Sequence, residues 1–212
     1  CAYDINANKT VVAYKDEGNS SYGSAAVGTV SGTNISFGSE VVFEAATTTN
    51  IGMDYDPSSQ KVVISYRDHG NSNYGTAIVG SVSGTSISFG SASVFNTANT
   101  TQISVDRNTA AGLVNILYRD EGNSGITTFS TATVSGTSLT FSSKTAISTG
   151  ASYYNDMTFD STANKMIAVY RDIGNSNYGT SVVFQNAYAA TNLTAENFIG
   201  IASNGYATGQ AA

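Results

Sequence analysis

The sequence has 212 residues and a net charge of −6, and only 11% of the residues are charged, whereas 41% are hydrophobic. This length suits one large β domain or an array of small units. The apolar content and the 13 tyrosines argue against a disordered chain, and no apolar run approaches the ~20 residues that cross a bilayer. Because the chain is acidic and has no basic stripe, the sequence predicts neither a nucleic-acid partner nor membrane insertion.

The scarcity of charge also indicates where the protein is found. A charged fraction of 11% is well below the roughly 25% of ordinary globular chains. Ser, Thr, Asn and Gly take the place of charged residues, as they do in many secreted and virion β proteins. The one cysteine, Cys1, cannot form an internal disulfide. We therefore expect an extracellular or virion-surface protein whose stability comes from repetition and sheet pairing.

A repeated sequence motif organises the chain. A Tyr-Lys/Arg-Asp triplet, followed by a variable residue and Gly-Asn-Ser, recurs every 52 residues, beginning at Tyr14, Tyr66, Tyr118 and Tyr170. The Ser-Gly-Thr triplets at 31–33, 83–85 and 135–137 keep the same spacing. A fixed period of this length predicts tandem copies of one structural unit. The copies are assigned to about 1–48, 49–100, 101–152 and an incomplete 153–184, and residues 185–212 to a closing strand or the start of a following segment.

Turn residues divide each copy into four short strands. In the second copy the strands are predicted at 50–56, 61–67, 74–82 and 86–95. The segment Val62–Tyr66 is apolar on both faces, so it should be covered on both sides. Stacked four-stranded antiparallel units of this size are typical of propeller blades. The predicted fold is an all-β propeller of four 52-residue repeats, either a closed four-bladed ring or part of a larger propeller or array, with 197–201 as a substitute closing strand.

Three roles are considered for the repeated aspartates, which are Asp16, Asp68, Asp120 and Asp172. The favoured role is structural, with each carboxylate accepting backbone N–H bonds in its turn and pairing with the adjacent Lys or Arg. A calcium site is the alternative, since Asn and Ser oxygens lie nearby and Ca²⁺ takes six to eight oxygen ligands. Catalysis is least favoured because a catalytic group is normally unique. No other cofactor is predicted, and no metal site is firmly predicted.

The same loops also carry candidate glycan contacts. Aromatic rings and amides are the side chains that hold carbohydrate, and both recur here, as Tyr22, Tyr74, Tyr178, Asn19, Asn71 and Asn175. The favoured alternative is that these tyrosines pack inside the units. The only histidine, His69, is replaced by Glu17, Glu121 and Ile173 in the other copies. It is therefore interpreted as a solvent-facing loop residue rather than part of a catalytic triad or metal site.

The segment from Asp68 through Gly70 to Tyr74 resembles the Asp-box hairpin of sialidases and related propellers. That resemblance implies a glycoside hydrolase that uses an arginine trio and a Tyr–Glu pair. Three of the four arginines in this sequence instead occupy the repeated position, at Arg67, Arg119 and Arg171. A sialidase-like hydrolase is therefore kept only as a disfavoured alternative, and the chain is predicted not to be an enzyme.

The whole repeat, YRDHGNSNYGTAIVGSVSGTSISFGSASVF in the second copy, resembles tandem repeats in structural or tail-fibre-like proteins of marine phages, cyanophages among them, and of some marine bacteria. The resemblance covers residues 1 to about 184, and residues 192–200 look like the sequence that follows such repeats. It implies a fragment of a longer virion or surface protein with an architectural or adhesive role. Its expected partners are other copies, other virion or surface proteins, or a host glycan. A self-assembling filament subunit is the alternative.

Overall fold

The structure, a computed structural model, describes residues 1–185 and the backbone of residues 199–202. It confirms an all-β chain. Apart from two single-turn 3-10 helices at His69–Asn71 and Glu121–Asn123, the regular elements described are strands. The strands are β1 Ala2–Asp4, β2 Lys9–Asp16, β3 Tyr22–Ser31, β4 Asn34–Phe37, β5 Val41–Asp56, β6 Lys61–Asp68, β7 Tyr74–Ser83, β8 Ser86–Phe89, β9 Ser93–Asn108, β10 Leu113–Asp120, β11 Ile126–Ser135, β12 Ser138–Phe141, β13 Thr145–Asp160, β14 Lys165–Asp172, β15 Tyr178–Phe184 and β16 Ile199–Ala202.

Every strand pair is antiparallel, and the chain meanders from β1 to β16. The short strands β4, β8 and β12 pair only with β3, β7 and β11. One feature differs from the predicted four-strand unit. The last part of one copy and the first strand of the next form a single 16-residue strand, as in β5, β9 and β13. These long strands connect the copies without a turn.

Each long strand belongs to two sheets. The first part of β5 pairs with β3 up to Thr47, and the second part pairs with β6 from Thr48 onward. The pairing changes in the same way between Asn99 and Thr100 in β9 and between Ala151 and Ser152 in β13. We call the resulting sheets the first to fourth units.

A left-handed residue follows each change of partner. Asn50 has a φ of 51°, Gln102 of 51° and Tyr154 of 55°, and the strand register shifts at each of these positions. Such bulges bend a strand and increase its twist. The long strand can therefore leave one sheet and enter the next.

The units pack face to face, and the core lies between them. Val11, Val27 and Phe43 of the first unit share one apolar cluster with Ile64 and Tyr66 of the second. Equivalent clusters join the second unit to the third and the third to the fourth. The whole segment Val62–Tyr66 is completely buried, as expected for a strand that is apolar on both faces.

Ring closure is not part of the observed strand pairing. Among the described strands, β1 pairs only with β2, and β16 pairs only with β15. The predicted closing strand at 197–201 overlaps β16, which adds to the edge of the fourth unit. Residues 186–198 and 203–212 lie outside the described part of the chain, including most of the segment 192–200.

Glycines let aromatic rings approach the strand backbone closely. A methyl group added at Gly23 would come within 2.5 Å of the Phe43 ring, and one at Gly75 within 2.5 Å of the Phe95 ring. The third unit has Thr127 at the glycine position and the smaller Ile147 at the phenylalanine position. The two positions therefore vary together, because a side chain and a ring cannot both occupy this space.

Gly75→Ala should destabilise the chain by about 1–3 kcal/mol, because overpacking of a filled core has that cost. Gly150→Ala is the matched control, because no atom lies within 4 Å of a methyl group there and its equivalents Ala46 and Ala98 already carry one. Urea unfolding monitored by circular dichroism measures both. Gly75→Thr alone should lower the free energy of unfolding, and adding Phe95→Ile should restore part of it. Equal losses for the two Ala variants would contradict this packing.

Candidate functional site

The repeated hairpin loops form the candidate site, and left-handed backbone determines their shape. Each loop has two successive residues with positive φ, and in the second unit these are Ser72 at 54° and Asn73 at 64°. The equivalent pairs are Ser20 and Ser21, Ser124 and Gly125, and Ser176 and Asn177. Asn and Gly tolerate this conformation best. Backbone geometry therefore explains Asn73, Gly125 and Asn177 at the second of these positions, whereas the first is Ser in every unit.

The aspartates predicted to act in these turns all accept backbone N–H bonds. Oδ1 of the carboxylate is the acceptor in each unit, from Gly18 N to Asp16 at 2.9 Å, from Asn71 N to Asp68 at 3.1 Å, from Gly122 N to Asp120 at 3.1 Å and from Gly174 N to Asp172 at 2.9 Å. Asp68 and Asp120 are buried and cap the two 3-10 helices. These contacts favour a structural role for the four carboxylates.

The predicted pairing of each aspartate with its neighbouring cation is wrong for two units. Lys15 Nζ lies 2.6 Å from a Glu17 carboxylate oxygen, and Arg119 forms an ion pair with Glu121. Arg119 also donates from Nε to the Ser152 carbonyl at 2.8 Å. The reason is the pleat of the strand, in which successive side chains point to opposite faces. A cation adjacent to Asp in sequence therefore lies on the other face.

The described residues contain no group of three or more His, Cys, Asp or Glu side chains that could hold a metal ion. The four loop aspartates lie in four different units. Each already uses one carboxylate oxygen within its own turn. Each loop therefore offers calcium one repeated carboxylate. The described residues bring no cluster of such carboxylates together.

The candidate glycan-contact residues lie at the same hairpin in three units. Tyr22, Tyr74 and Asn19 are half-buried, whereas Tyr178, Asn71 and Asn175 are exposed. The loop backbone joins the two residue types, because Tyr22 N donates to the Asn19 carbonyl at 3.0 Å and Tyr178 N to the Asn175 carbonyl at 2.9 Å. In the third unit Ile126 replaces the tyrosine. The tyrosines keep part of their surface in solvent.

Different tyrosines fill the units, and sequence reasoning missed them. The first residue of the repeated triplet is fully buried at Tyr66 and Tyr118. The Tyr66 ring lies 5.2 Å from Phe43, and the Tyr118 ring lies 5.1 Å from Phe95. The available signal was their position in the doubly apolar strand. In the second, third and fourth units a buried tyrosine therefore precedes the hairpin, whereas the equivalent Tyr14 of the first unit is exposed.

Polar contacts at this interface differ between copies. Tyr66 donates its hydroxyl to Glu44 Oε2 at 3.0 Å, and burial raises the pKa of Glu44, although this hydrogen bond acts in the opposite direction. The equivalent residue is Asn96 at the next boundary, where its amide donates to Thr100 at 2.9 Å. Position 44 therefore varies in charge while the surrounding packing is kept.

His69 lies in an exposed loop, as predicted. Its Nε2 lies 2.9 Å from the Thr49 hydroxyl oxygen, and burial lowers its pKa. In the next unit Glu121 accepts from Thr101 at 3.0 Å in the equivalent place. The shared role is attachment of the hairpin to the preceding long strand.

Comparison with known proteins does not assign the chain to a family. No model of a known protein family matches the sequence, and a search of curated proteins finds no match. In the described part of the chain, no helix is long and apolar enough to cross a membrane. The function is therefore argued from the geometry of the units and their loops.

Asp120→Ala should destabilise the chain by ~1–2 kcal/mol, because it removes the buried carboxylate that caps the 3-10 helix Glu121–Asn123. Asp16→Ala should cost less, because the same hydrogen bond is exposed there. Thermal unfolding measures both, and the parent chain should unfold at the same temperature in EDTA and in millimolar calcium. A calcium-dependent rise that Asp120→Asn abolished would instead support the calcium site.

Glu44→Gln should stabilise the chain at pH 7 and have no such effect at pH 4. The raised pKa of Glu44 means that the folded state favours the protonated form of this carboxyl group. Its contribution to the free energy of unfolding is therefore largest below its ordinary pKa of 4.5 and is lost as the pH rises. Glutamine keeps an acceptor for Tyr66 without the charge. Because Glu44 is only half-buried, the gain should be below about 1 kcal/mol. Melting curves across this pH range test it, and a pH-independent difference would contradict the argument.

Proposed function

We propose that this protein is a non-enzymatic structural and adhesion module of a virion fibre or an extracellular surface protein. The observation that supports it is a pair of contacts that join the second unit to the third and the third to the fourth at the same positions. The Asn50 side chain accepts from Gln102 N at 2.8 Å, and the Gln102 side chain accepts from Tyr154 N. Both contacts span 52 residues. The two boundaries are therefore held in the same register.

Further contacts around this ladder support a rigid array. Arg107 donates to the Tyr55 carbonyl at 3.1 Å and lies 3.6 Å from Asp54, both across the boundary between the second and third units. At the next boundary Asp106 accepts from Phe159 N at 2.7 Å. Partly buried side chains that bind backbone groups of a neighbouring sheet resist sliding between units. Such a platform suits assembly or display.

The proposal treats the units as propeller-type blades in an open array or a larger propeller. Four-stranded antiparallel units, stacked face to face with a doubly buried inner strand, support blades. Strands β1 and β16 lie at opposite ends of the strand order and do not pair with each other, which favours an array over a closed four-bladed ring. The partners proposed for such an array are other copies or other virion and surface proteins.

The adhesive part of the proposal rests on the hairpin loops. Stacking of equivalent units places their hairpins at equivalent positions along the array, where exposed Asn71 and Asn175 accompany partly exposed tyrosines. Aromatic faces and positioned amides suit a glycan chain, and several weak sites can act together. The repeated aspartates are used within their turns, so the proposal assigns them no catalysis.

A glycan array tests the adhesive proposal. Replacing Tyr22, Tyr74 and Tyr178 together by Ala should weaken binding by about tenfold or more, because it removes three linked contacts. Ile126→Tyr should strengthen binding, because it completes the missing fourth site. Circular dichroism should show both variants folded.

Two results would contradict the proposal. Absence of binding to every glycan by the parent chain would reject the adhesive role. Release of sugar from an oligosaccharide by the parent chain, abolished in Asp68→Asn, would instead support a hydrolase.

A further inference from the structure

Lys144, Asn96 and Asp120 meet at the boundary between the second and third units. Lys144 lies in the connection between β12 and β13 of the third unit, and its side-chain nitrogen donates to Asn96 Oδ1 of the second unit. The same nitrogen lies 4.0 Å from Asp120 Oδ2. Asn96 is fully buried, and Asp120 is 5% exposed. A primary amine, a carboxamide and a carboxylate are therefore brought together across the interface.

Neighbouring hydrogen bonds orient the amide and the carboxylate. Asn96 Nδ2 donates to the Thr100 hydroxyl oxygen at 2.9 Å, so the carbonyl oxygen of this amide is the atom turned toward Lys144. Asp120 Oδ1 accepts from Gly122 N at 3.1 Å, which leaves Oδ2 on the side of Lys144. Both groups that face the lysine nitrogen are therefore held by contacts of their own.

A bulge in β9 aims Asn96 at the third unit. Val94 pairs with Thr76 and Asn96 pairs with Gly75, so Phe95 is the extra residue between the two pairs. Such an extra residue re-aims the side chains beside it. Phe95 and Asn96 consequently both reach the third unit, where the Phe95 ring packs against aromatic rings. This apolar setting limits the access of water, which would compete with the lysine for the amide.

The amine and the amide coincide at this boundary because the copies differ there. At the two positions of Lys144 and Asn96, the first three copies otherwise carry Glu40, Ala92, Glu44 and Ser148. The aspartate, in contrast, is present in every copy. The repeated fold therefore does not require the Lys144–Asn96 contact, which is a feature of one boundary.

We infer that Lys144 and Asn96 form an intramolecular isopeptide bond, which is a covalent amide cross-link between the second and third units. This inference goes beyond the proposed function, since it concerns a modification that the chain makes to itself. Orientation of two reacting groups can replace a high concentration of either. The carbon to be attacked, Asn96 Cγ, lies only about 1.2 Å beyond the oxygen that the lysine nitrogen contacts.

The reaction exchanges one amide for another and needs no oxidant or reductant. Asp120 accepts one proton from the Lys144 ammonium, and the neutral Nζ attacks Asn96 Cγ. The Nζ–Cγ bond forms and the Cγ–Nδ2 bond breaks, while a second proton passes from Nζ to Nδ2, so that ammonia leaves. Asp120 then releases the first proton to solvent. The Lys144 side chain is 42% exposed, which gives both products a route out.

The bond joins positions that are 48 residues apart. A cross-link of this length restricts the unfolded chain, as a disulfide does. It also keeps the second and third units attached when the hydrogen bonds and apolar contacts around it open. A covalent tie of this kind suits a platform that must stay assembled under load.

Intact mass spectrometry of the denatured chain tests the bond. The parent chain should be lighter than its sequence by one ammonia, and digestion should release a branched peptide that contains Lys144 and Asn96. Lys144→Arg should have its full sequence mass, because a guanidinium keeps its proton and cannot attack. Lys165→Arg is the matched control and should keep the loss, because Lys165 contacts the Gln185 amide at 2.7 Å at an exposed site. The parent chain at its full sequence mass, or a Lys144→Arg variant that still loses ammonia, would overturn the inference.

A second pair of measurements separates the bond from a hydrogen bond alone. The parent should melt about 10 °C above Lys144→Arg, because the cross-link constrains the unfolded chain. Asp120→Asn keeps an acceptor for Gly122 N but removes the base, so the cross-linked fraction should form about a hundredfold more slowly. Circular dichroism verifies that both variants fold. Equal rates in Asp120→Asn and the parent would overturn the role of Asp120. Glycan binding should be unchanged in Lys144→Arg, so failure here is distinguishable from failure of the adhesive proposal.

Discussion

One backbone feature, the left-handed residue within each long strand, underlies the rest of the structure. Asn50 in this conformation follows directly after β5 changes partner, where the register shifts between Thr49 and Gly52. The bulge there bends the second part of the strand as it continues along β6 in the new sheet. The Asn50 amide oxygen then binds the backbone of Gln102, the equivalent residue one unit later. The same position thus redirects the chain and fixes the spacing of the units.

Face-to-face stacking imposes the next constraint, which is space between the sheets. At two boundaries glycine accommodates a phenylalanine ring, whereas the third unit replaces the pair by Thr127 and Ile147. Thr127 N then binds the hydroxyls of Ser148 and Ser152 at 2.9 and 3.0 Å. Phe129 and Phe184, 4.8 Å apart, supply the aromatic contact at that boundary. The residues that fill the space between the sheets therefore change from one boundary to the next.

Much of this architecture could be predicted from the sequence because the repeat and its turns have strong local signals. Two features could not be. The long strands join adjacent copies through a bulge, and Asn50 and Gln102 resemble ordinary polar residues in sequence. Burial by a neighbouring sheet is also non-local, so the sequence does not show how deeply Tyr66 or Tyr74 is covered, although the doubly apolar strand around Tyr66 favours its burial. Strand alternation could have shown that Arg119 and Asp120 face opposite ways, since that rule depends only on the strand.

Stability in a stacked repeat is close to a sum of unit and nearest-neighbour terms, so the contacts between neighbouring units matter as much as the units themselves. The polar contacts change from one boundary to the next, since position 44 is Glu, Asn and Ser in successive copies. The aromatic contacts change less, because Phe43 packs on Tyr66 at one boundary and Phe95 packs on Tyr118 at the next. The burial of apolar surface between the sheets, which does not depend on any one polar pair, is therefore the interaction that joins the units.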